Sequence, residues 1–169
     1  MRIVPYDPAW LDRFETERVR LNRAIGKWIT GGIHHVGSTA VPGLAAKPVV
    51  DILAGVADLP SSRSSFEELA ELDYRYAPYR ADEMHWFCKP DPSRRTHHLH
   101  LVPTGSPRYQ AELSFRDALR SSSDLASEYA SLKKRLAVEH RDDRELYTAA
   151  KQDFIVQVLA LGGVPRGAR

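Results

Sequence analysis

The stretch His35-Val36-Gly37-Ser38-Thr39-Ala40-Val41-Pro42-Gly43-Leu44-Ala45-Ala46-Lys47-Pro48-Val49-Val50-Asp51-Ile52 decides how the chain is read. Ile33-His34-His35-Val36 is a short β-like run that stops at Gly37-Ser38-Thr39. From Pro48 the chain continues as Val49-Val50-Asp51-Ile52-Leu53-Ala54-Gly55-Val56. A nearly continuous apolar run of this kind reads as a central strand covered on both faces. One acid, Asp51, interrupts it. A strand ending in Gly-Ser-Thr leaves backbone N–H groups free where the chain turns, and small side chains let a phosphate approach them. Gly37, Ser38 and Thr39 therefore form a candidate phosphate cradle. Lys47 can add a positive charge to the same phosphate, and Asp51 on the next strand can hold a bridging divalent cation.

Upstream, Asp7-Pro8 is a helix start, because Asp accepts a backbone N–H and proline's missing N–H costs nothing at the first helical position. The spacing predicts a helix from about Pro8 to Lys27, with Phe14, Leu21, Ile25 and Trp28 on its buried stripe and Gly31-Gly32 as its breaker. Downstream, Ser65-Phe66-Glu67-Glu68 has capping-box spacing and opens a short helix through Leu72, followed by a strand at Tyr74-Arg75-Tyr76. Two more strands, Met84–Lys89 and His97–Val102, flank the turn-rich Pro90-Asp91-Pro92-Ser93. After Pro103 the pattern changes to three helices, roughly Tyr109–Arg120, Leu125–His140 and Arg144–Leu161. This order predicts an α/β (α+β) fold with a small mixed sheet, organised as a single domain over 1–162 with a loose tail at 163–169.

Composition narrows the function classes. At about 150 residues per domain, 169 residues suit one domain, and 43% apolar with 27% charged residues excludes a disordered chain. Lys plus Arg number 24 against 22 Asp plus Glu, a net charge of +2, so bulk charge does not draw in nucleic acid and any anion site must be local. A single cysteine, Cys88, excludes an intramolecular disulfide and a multi-thiolate zinc site. The N-terminus lacks the apolar segment of a signal peptide, and no run approaches the roughly 18 apolar residues of a membrane helix. The expectation is a cytoplasmic protein with no membrane partner and no nucleic-acid partner.

The second chemically rich segment is Thr96-His97-His98-Leu99-His100. Strand alternation puts His98 and His100 on one face, where neutral imidazoles can bind a metal jointly or act as base or electrophile beside a phosphate. The plainer alternative is a set of histidines on a sheet surface. Arg95, in the loop entering this strand, can clamp a phosphate bidentately or stay solvated. Of the adjacent His34 and His35, one faces the site side of its strand and the other away. Trp86, Phe87 and Cys88 are expected in the core. Lys133 and its neighbours Lys134 and Arg135 read as a solvated helix surface mixed with acids, while Lys151 and Arg116 reach the cleft only if the last helices cover it.

The segment His35–Ile52 resembles the signature of the GrpB (UPF0157-like) family, whose members resemble nucleotidyltransferases in fold. Val4-Pro5-Tyr6-Asp7-Pro8-Ala9-Trp10, Arg95-Thr96-His97-His98-Leu99-His100, Phe115-Arg116-Asp117 and Tyr129-Ala130-Ser131-Leu132-Lys133 extend the resemblance over nearly the whole chain. It implies a nucleotidyltransferase-like core that binds a nucleotide or another phosphorylated ligand, such as a coenzyme A precursor. On this reading Gly37, Ser38, Thr39, His35, Lys47 and Arg95 hold the phosphates. Asp51, His98 and His100 serve as catalytic residues and as ligands of Mg²⁺ or Mn²⁺ for nucleotidyl or phosphoryl transfer. Relatives fused to dephospho-coenzyme A kinase imply a link to coenzyme A biosynthesis. The superfamily pattern also asks for a second acid two residues after Asp51 and a third on a later strand. Leu53 stands at the first of these positions, and the later strand offers His98 and His100. Three alternatives follow: Glu83 or Asp82 completes the site, a different metal is used, or catalysis has been lost. The rival function is a non-catalytic module that binds a nucleotide or coenzyme A-type ligand and regulates a partner.

Overall fold

The computed structural model describes residues 2–162, so the expected tail at 163–169 lies outside the described residues. A first helix, α1 (Ala9–Ile25), leads through a single 3-10 turn into β1 (Ile29–Val36). The strand thus begins before Gly31-Gly32, which bend it at a register irregularity between Ile29 and Ile33 instead of separating helix from strand. The central strand is β2 (Val50–Val56), followed by the short helices α2 (Leu59–Ser62) and α3 (Phe66–Glu71) and the two-residue β3 (Arg75–Tyr76). Asp58, not the expected Ser65, supplies a side-chain cap here, accepting from the Ser61 N–H at 2.7 Å. The strands β4 (His85–Asp91) and β5 (Arg94–Pro103) form a tighter hairpin than the Pro-rich turn suggested. Three helices close the fold: α4 (Pro107–Ser121), α5 (Ser123–Glu139) and α6 (Arg144–Gly162). Among the described residues, no helix is long and apolar enough to cross a membrane.

The five strands form one mixed sheet in the order β1-β2-β5-β4-β3, with β2 antiparallel to β1 and parallel to β5. Alternation sorts β2 onto two faces. Val50, Ile52, Ala54 and Val56 pack with Phe14, Leu21 and Ile25 of α1 and with Leu69, Phe87, Leu99 and Leu101 in the main core. Leu53 faces the other way, with Val36, Met84 and Val102, and α4 covers it through Tyr109 and Leu113. Full burial of such a Leu, Ile or Phe side chain contributes about 1.5–3 kcal/mol. Close approach is enforced at Gly55, where a Cβ would stand 2.7 Å from the Gly31 Cα and 2.6 Å from the Thr104 hydroxyl.

The loop between β1 and β2 does not lie on the sheet. Val41 and Leu44 are buried against Leu119 of α4 and Tyr129 of α5, in a third apolar cluster. Two basic side chains of α4 fix the entry to the loop: Arg116 donates to the His35 carbonyl near the end of β1 at 3.2 Å, and Arg120 to the Ala40 carbonyl in the loop at 2.8 Å. Thus α4 covers the sheet face that carries Asp51, while α4, α5 and α6 together pack against the loop that holds the Gly-Ser turn.

Candidate functional site

The turn begins at Gly37, whose backbone has φ 72° and ψ −172°, a conformation that L side chains rarely adopt. Space demands glycine as well, since a Cβ here would lie 2.5 Å from Asp51 Oδ2. The backbone of the turn is therefore pressed directly against the Asp51 carboxylate. Register completes the arrangement: Val36 is paired with Asp51, and Asp51 with His98, so the end of β1, Asp51 and His98 are neighbours across three strands.

Asp51 is engaged by a histidine. His98 Nδ1 lies 2.8 Å from Asp51 Oδ1. Burial alone would raise the Asp51 carboxyl, but the His98 hydrogen bond and the charges of His98, His100 and Lys151 hold it below the usual carboxylate range. The other His98 nitrogen, Nε2, is buried without a hydrogen-bond partner among the described residues, on a ring 4.8 Å from the Trp86 ring. Trp86 is half-buried, less enclosed than expected, whereas Phe87 and Cys88 are in the core.

Around the turn stand three ammonium groups. Lys133, only 3% exposed, donates to Ser38 Oγ at 2.8 Å and to the Ala45 carbonyl at 2.6 Å. Burial, with repulsion from Lys151, pushes its pKa down to about 7. Lys47 and Lys151 share one aromatic ring, with their nitrogens 5.0 Å and 4.4 Å from the Tyr147 centroid. Lys47 is lowered to about 8 by burial and by the charges of Lys151 and Arg144, and burial lowers Lys151 too. None of the three forms an ion pair among the described residues, and the negative charge that acts on each is that of Asp51. Arg95 lies at the rim, its guanidinium 5.1 Å from the Trp86 centroid and its Nε bonded to the Pro92 carbonyl.

The structure thus brings together Gly37, Ser38, Lys47, Asp51 and His98, with Arg95 beside them, and separates the remaining expected residues. His35 pairs with Ile52, on the opposite sheet face from Asp51, where its ring stacks on Phe14 at 4.8 Å. Its Nε2 bonds the Thr39 hydroxyl at 2.9 Å, so both side chains are buried fittings of the fold, not parts of the cradle. Burial holds His35 down at about 4. His100 shares the Asp51 face but is bound by Glu112 of α4 at 2.9 Å, in a network with Arg108. Burial would lower the His100 ring, yet Glu112 raises it above its ordinary value. Glu83 pairs with Arg80 and Arg108 at 3.7 Å, and Asp82 is exposed.

This donor set does not fit a metal ion. Among the described residues, no group of three or more His, Cys, Asp or Glu side chains is placed to hold one, so the expected set of Asp51, His98 and His100 is not gathered as a cage. Magnesium and manganese favour oxygen ligands. Here one carboxylate, bonded to His98, faces three amines.

Lys133 is the member of this candidate site that a surface reading of α5 overlooked. Two signals could have found it. Tyr129, Lys133 and Leu136 recur at i, i+4 and i+7, the period of a buried stripe. Tyr129…Lys133 and Tyr147…Lys151 also repeat one Tyr-x-x-x-Lys spacing in successive helices, and each lysine lies over its own tyrosine, Lys133 at 4.9 Å.

Comparison with known proteins bears on this geometry. The sequence model described as GrpB protein matches residues 1–161. UPF0157 protein YqkA of Bacillus subtilis is 34% identical over 155 residues, covering 92% of this chain and 45% of that protein. UPF0157 protein PA4798 of Pseudomonas aeruginosa is 36% identical over 165 residues, covering 94% and 66%. The chain therefore spans less than two thirds of the length of these relatives. A protein named dephospho-CoA kinase, from Mycolicibacterium paratuberculosis, is 29% identical over 181 residues, covering 91% of this chain and 44% of that one. Among solved structures, conserved protein GrpB from Enterococcus faecalis superposes with a TM-score of 0.85 at 31% identity, covering 95% and 96%. The GLD-2/RNP-8 complex matches with a TM-score of 0.60 at 13% identity, covering 89% of this chain and 51% of that one, a likeness of fold alone. The architecture is nucleotidyltransferase-like.

Proposed function

The chain belongs to the GrpB protein family, and from that premise we propose that it binds a small phosphorylated ligand, a nucleotide or a coenzyme A precursor, at the Gly37-Ser38 turn. One observation carries this reading: Lys133 is bonded to Ser38, Lys47 and Lys151 stand together over the Tyr147 ring, and among the described residues Asp51 is the one carboxylate whose charge offsets all three. Buried or half-buried ammonium groups without carboxylate partners are costly to the free protein, and an anion relieves that cost. Ser38 Oγ and the Lys133 ammonium meet the phosphate, Lys47 and Lys151 neutralise it, and Arg95 extends the positive rim. The single carboxylate favours a binding module over a metal-dependent transferase. The relative named dephospho-CoA kinase makes a coenzyme A precursor one of the ligands to try.

Calorimetric titration of ATP, CTP and dephospho-coenzyme A into the wild-type protein and Lys133→Met tests the proposal. Saturable binding of at least one ligand, weakened on the order of a hundredfold in the variant, is expected from losing a charge-assisted hydrogen bond and its charge. Absence of binding by all three, or equal binding to the variant, would contradict it.

A further inference from the structure

The phosphate end of a nucleotide carries several negative charges, and the usual companion of such a group is a divalent cation. The residues around the turn offer a different countercharge. Asp51 is the only acid on its strand, Leu53 occupies the place of a second, and Asp51 Oδ1 accepts from His98 at 2.8 Å. Asp51 Oδ2 faces the Gly37 backbone closely enough to leave no room for a Cβ. A cation held at the free His98 Nε2 would need further ligands, and none is gathered among the described residues. The amines, by contrast, are already built in. Lys133 is fixed on Ser38 and Ala45, and Lys47 and Lys151 are braced on the Tyr147 ring.

We propose that this pocket takes the oligophosphate end of its ligand without a metal ion, with Lys47, Lys133 and Lys151 supplying the countercharge and Asp51 serving to orient His98. The inference rests on the phosphorylated-ligand reading above and extends it to the ionic form of the ligand. Two consequences have the opposite sign from those of a metal site. Magnesium bound to the ligand's phosphates uses the charge that the lysines need, so it competes with the protein. Asp51, among the described residues the one negative charge beside these three amines, opposes the incoming anion, so removing its charge strengthens binding.

The experiment titrates inorganic pyrophosphate, a probe with neither base nor sugar, into the wild-type protein and Asp51→Asn. It is run in mildly acidic buffer where the amines are protonated, with EDTA and then with excess Mg²⁺. Asparagine keeps an oxygen that can accept from His98 Nδ1, and a thermal melt checks that the variant is folded. The expected result is binding in EDTA, weakened several-fold by Mg²⁺, and tightened on the order of threefold to tenfold in Asp51→Asn. Binding that requires Mg²⁺, or that is lost in a folded Asp51→Asn, overturns metal independence while leaving the phosphorylated-ligand reading standing. Absence of pyrophosphate binding under either condition removes the reading itself, and this inference with it. If Asp51→Asn does not fold, Lys151→Met decides: binding in EDTA should weaken at least tenfold, whereas retained Mg²⁺-dependent binding would overturn the proposal.

Discussion

On the α1 face of the sheet, Lys89 reaches Glu17 at 2.7 Å, and the same Glu17 oxygen accepts from the Tyr74 hydroxyl at 2.9 Å. On the opposite face, Lys133 is more enclosed still but meets only the neutral oxygens of Ser38 and Ala45, with Lys151 nearby and Asp51 already bonded to His98. One face half-buries its lysine against a buried acid, whereas the other buries its lysine with no acid bonded to it. A paired charge of this kind holds elements together, here α1 to β4. An unpaired one, on the proposed reading, is relieved when an anion binds. The contrast separates the structural half of the molecule from its functional half more sharply than burial alone, since Lys133 and Glu17 are 3% and 2% exposed.

The largest effect should come from breaking the paired face. Glu17→Ala leaves Lys89 without its anion and Tyr74 without its acceptor, and is expected to lower stability by about 3–5 kcal/mol in urea unfolding. A loss below about 1 kcal/mol would erase the distinction between the faces. The matching change on the other face, Lys133→Met, should behave in reverse. Removing a buried cation without a counterion should leave the free protein's stability within about 1 kcal/mol of wild type, even as ligand affinity is lost.

A pH series sharpens the comparison further. Lys133 and Lys47, lowered to about 7 and about 8, bind an anion only when protonated. Affinity for ATP should therefore be highest below neutrality and fall as the pH rises through that range, while ATP's own phosphates stay ionised. The groups facing these amines are Asp51, Lys151, Arg144 and Arg95, and Asp51, held below the usual carboxylate range, keeps its charge throughout. Calorimetry that finds affinity flat with pH would show that the amines are not the anion's partners. The smallest effect belongs to Thr39→Val, which removes the hydroxyl bonded to His35. It should cost about 1 kcal/mol of stability and leave ATP affinity unchanged; a tenfold loss of affinity would return Thr39 to the ligand site.

Much of the fold was legible because its signals are local. The nearly continuous apolar run Val49–Val56 marked the central strand, alternation put His98 and His100 on one face, and the change of period after Pro103 announced the last three helices. Where the reading failed, the deciding contacts are distant in sequence. Gly31-Gly32 look like a break, but pairing to β2 carries the strand through them. Alternation alone could not tell which of His34 and His35 shares the Asp51 face; the register His34↔Leu53 and His35↔Ile52 gives that face to His34. His98 and His100 look equivalent, yet Asp51 takes one and Glu112, supplied by α4, takes the other. Lys133 looked like surface because its neighbours Lys134 and Arg135 are exposed or mixed with acids, while its bond to Ser38 spans 95 positions.

The most direct test of the account is an NMR titration of the lysine side-chain carbon signals with and without pyrophosphate, assigned through Lys133→Met. The account predicts that Lys133 titrates near 7 in the free protein and that pyrophosphate moves its midpoint upward, as the bound anion favours the charged form. A Lys133 midpoint at the ordinary lysine value, or one that pyrophosphate leaves in place, would contradict the claim that this buried amine awaits a phosphate.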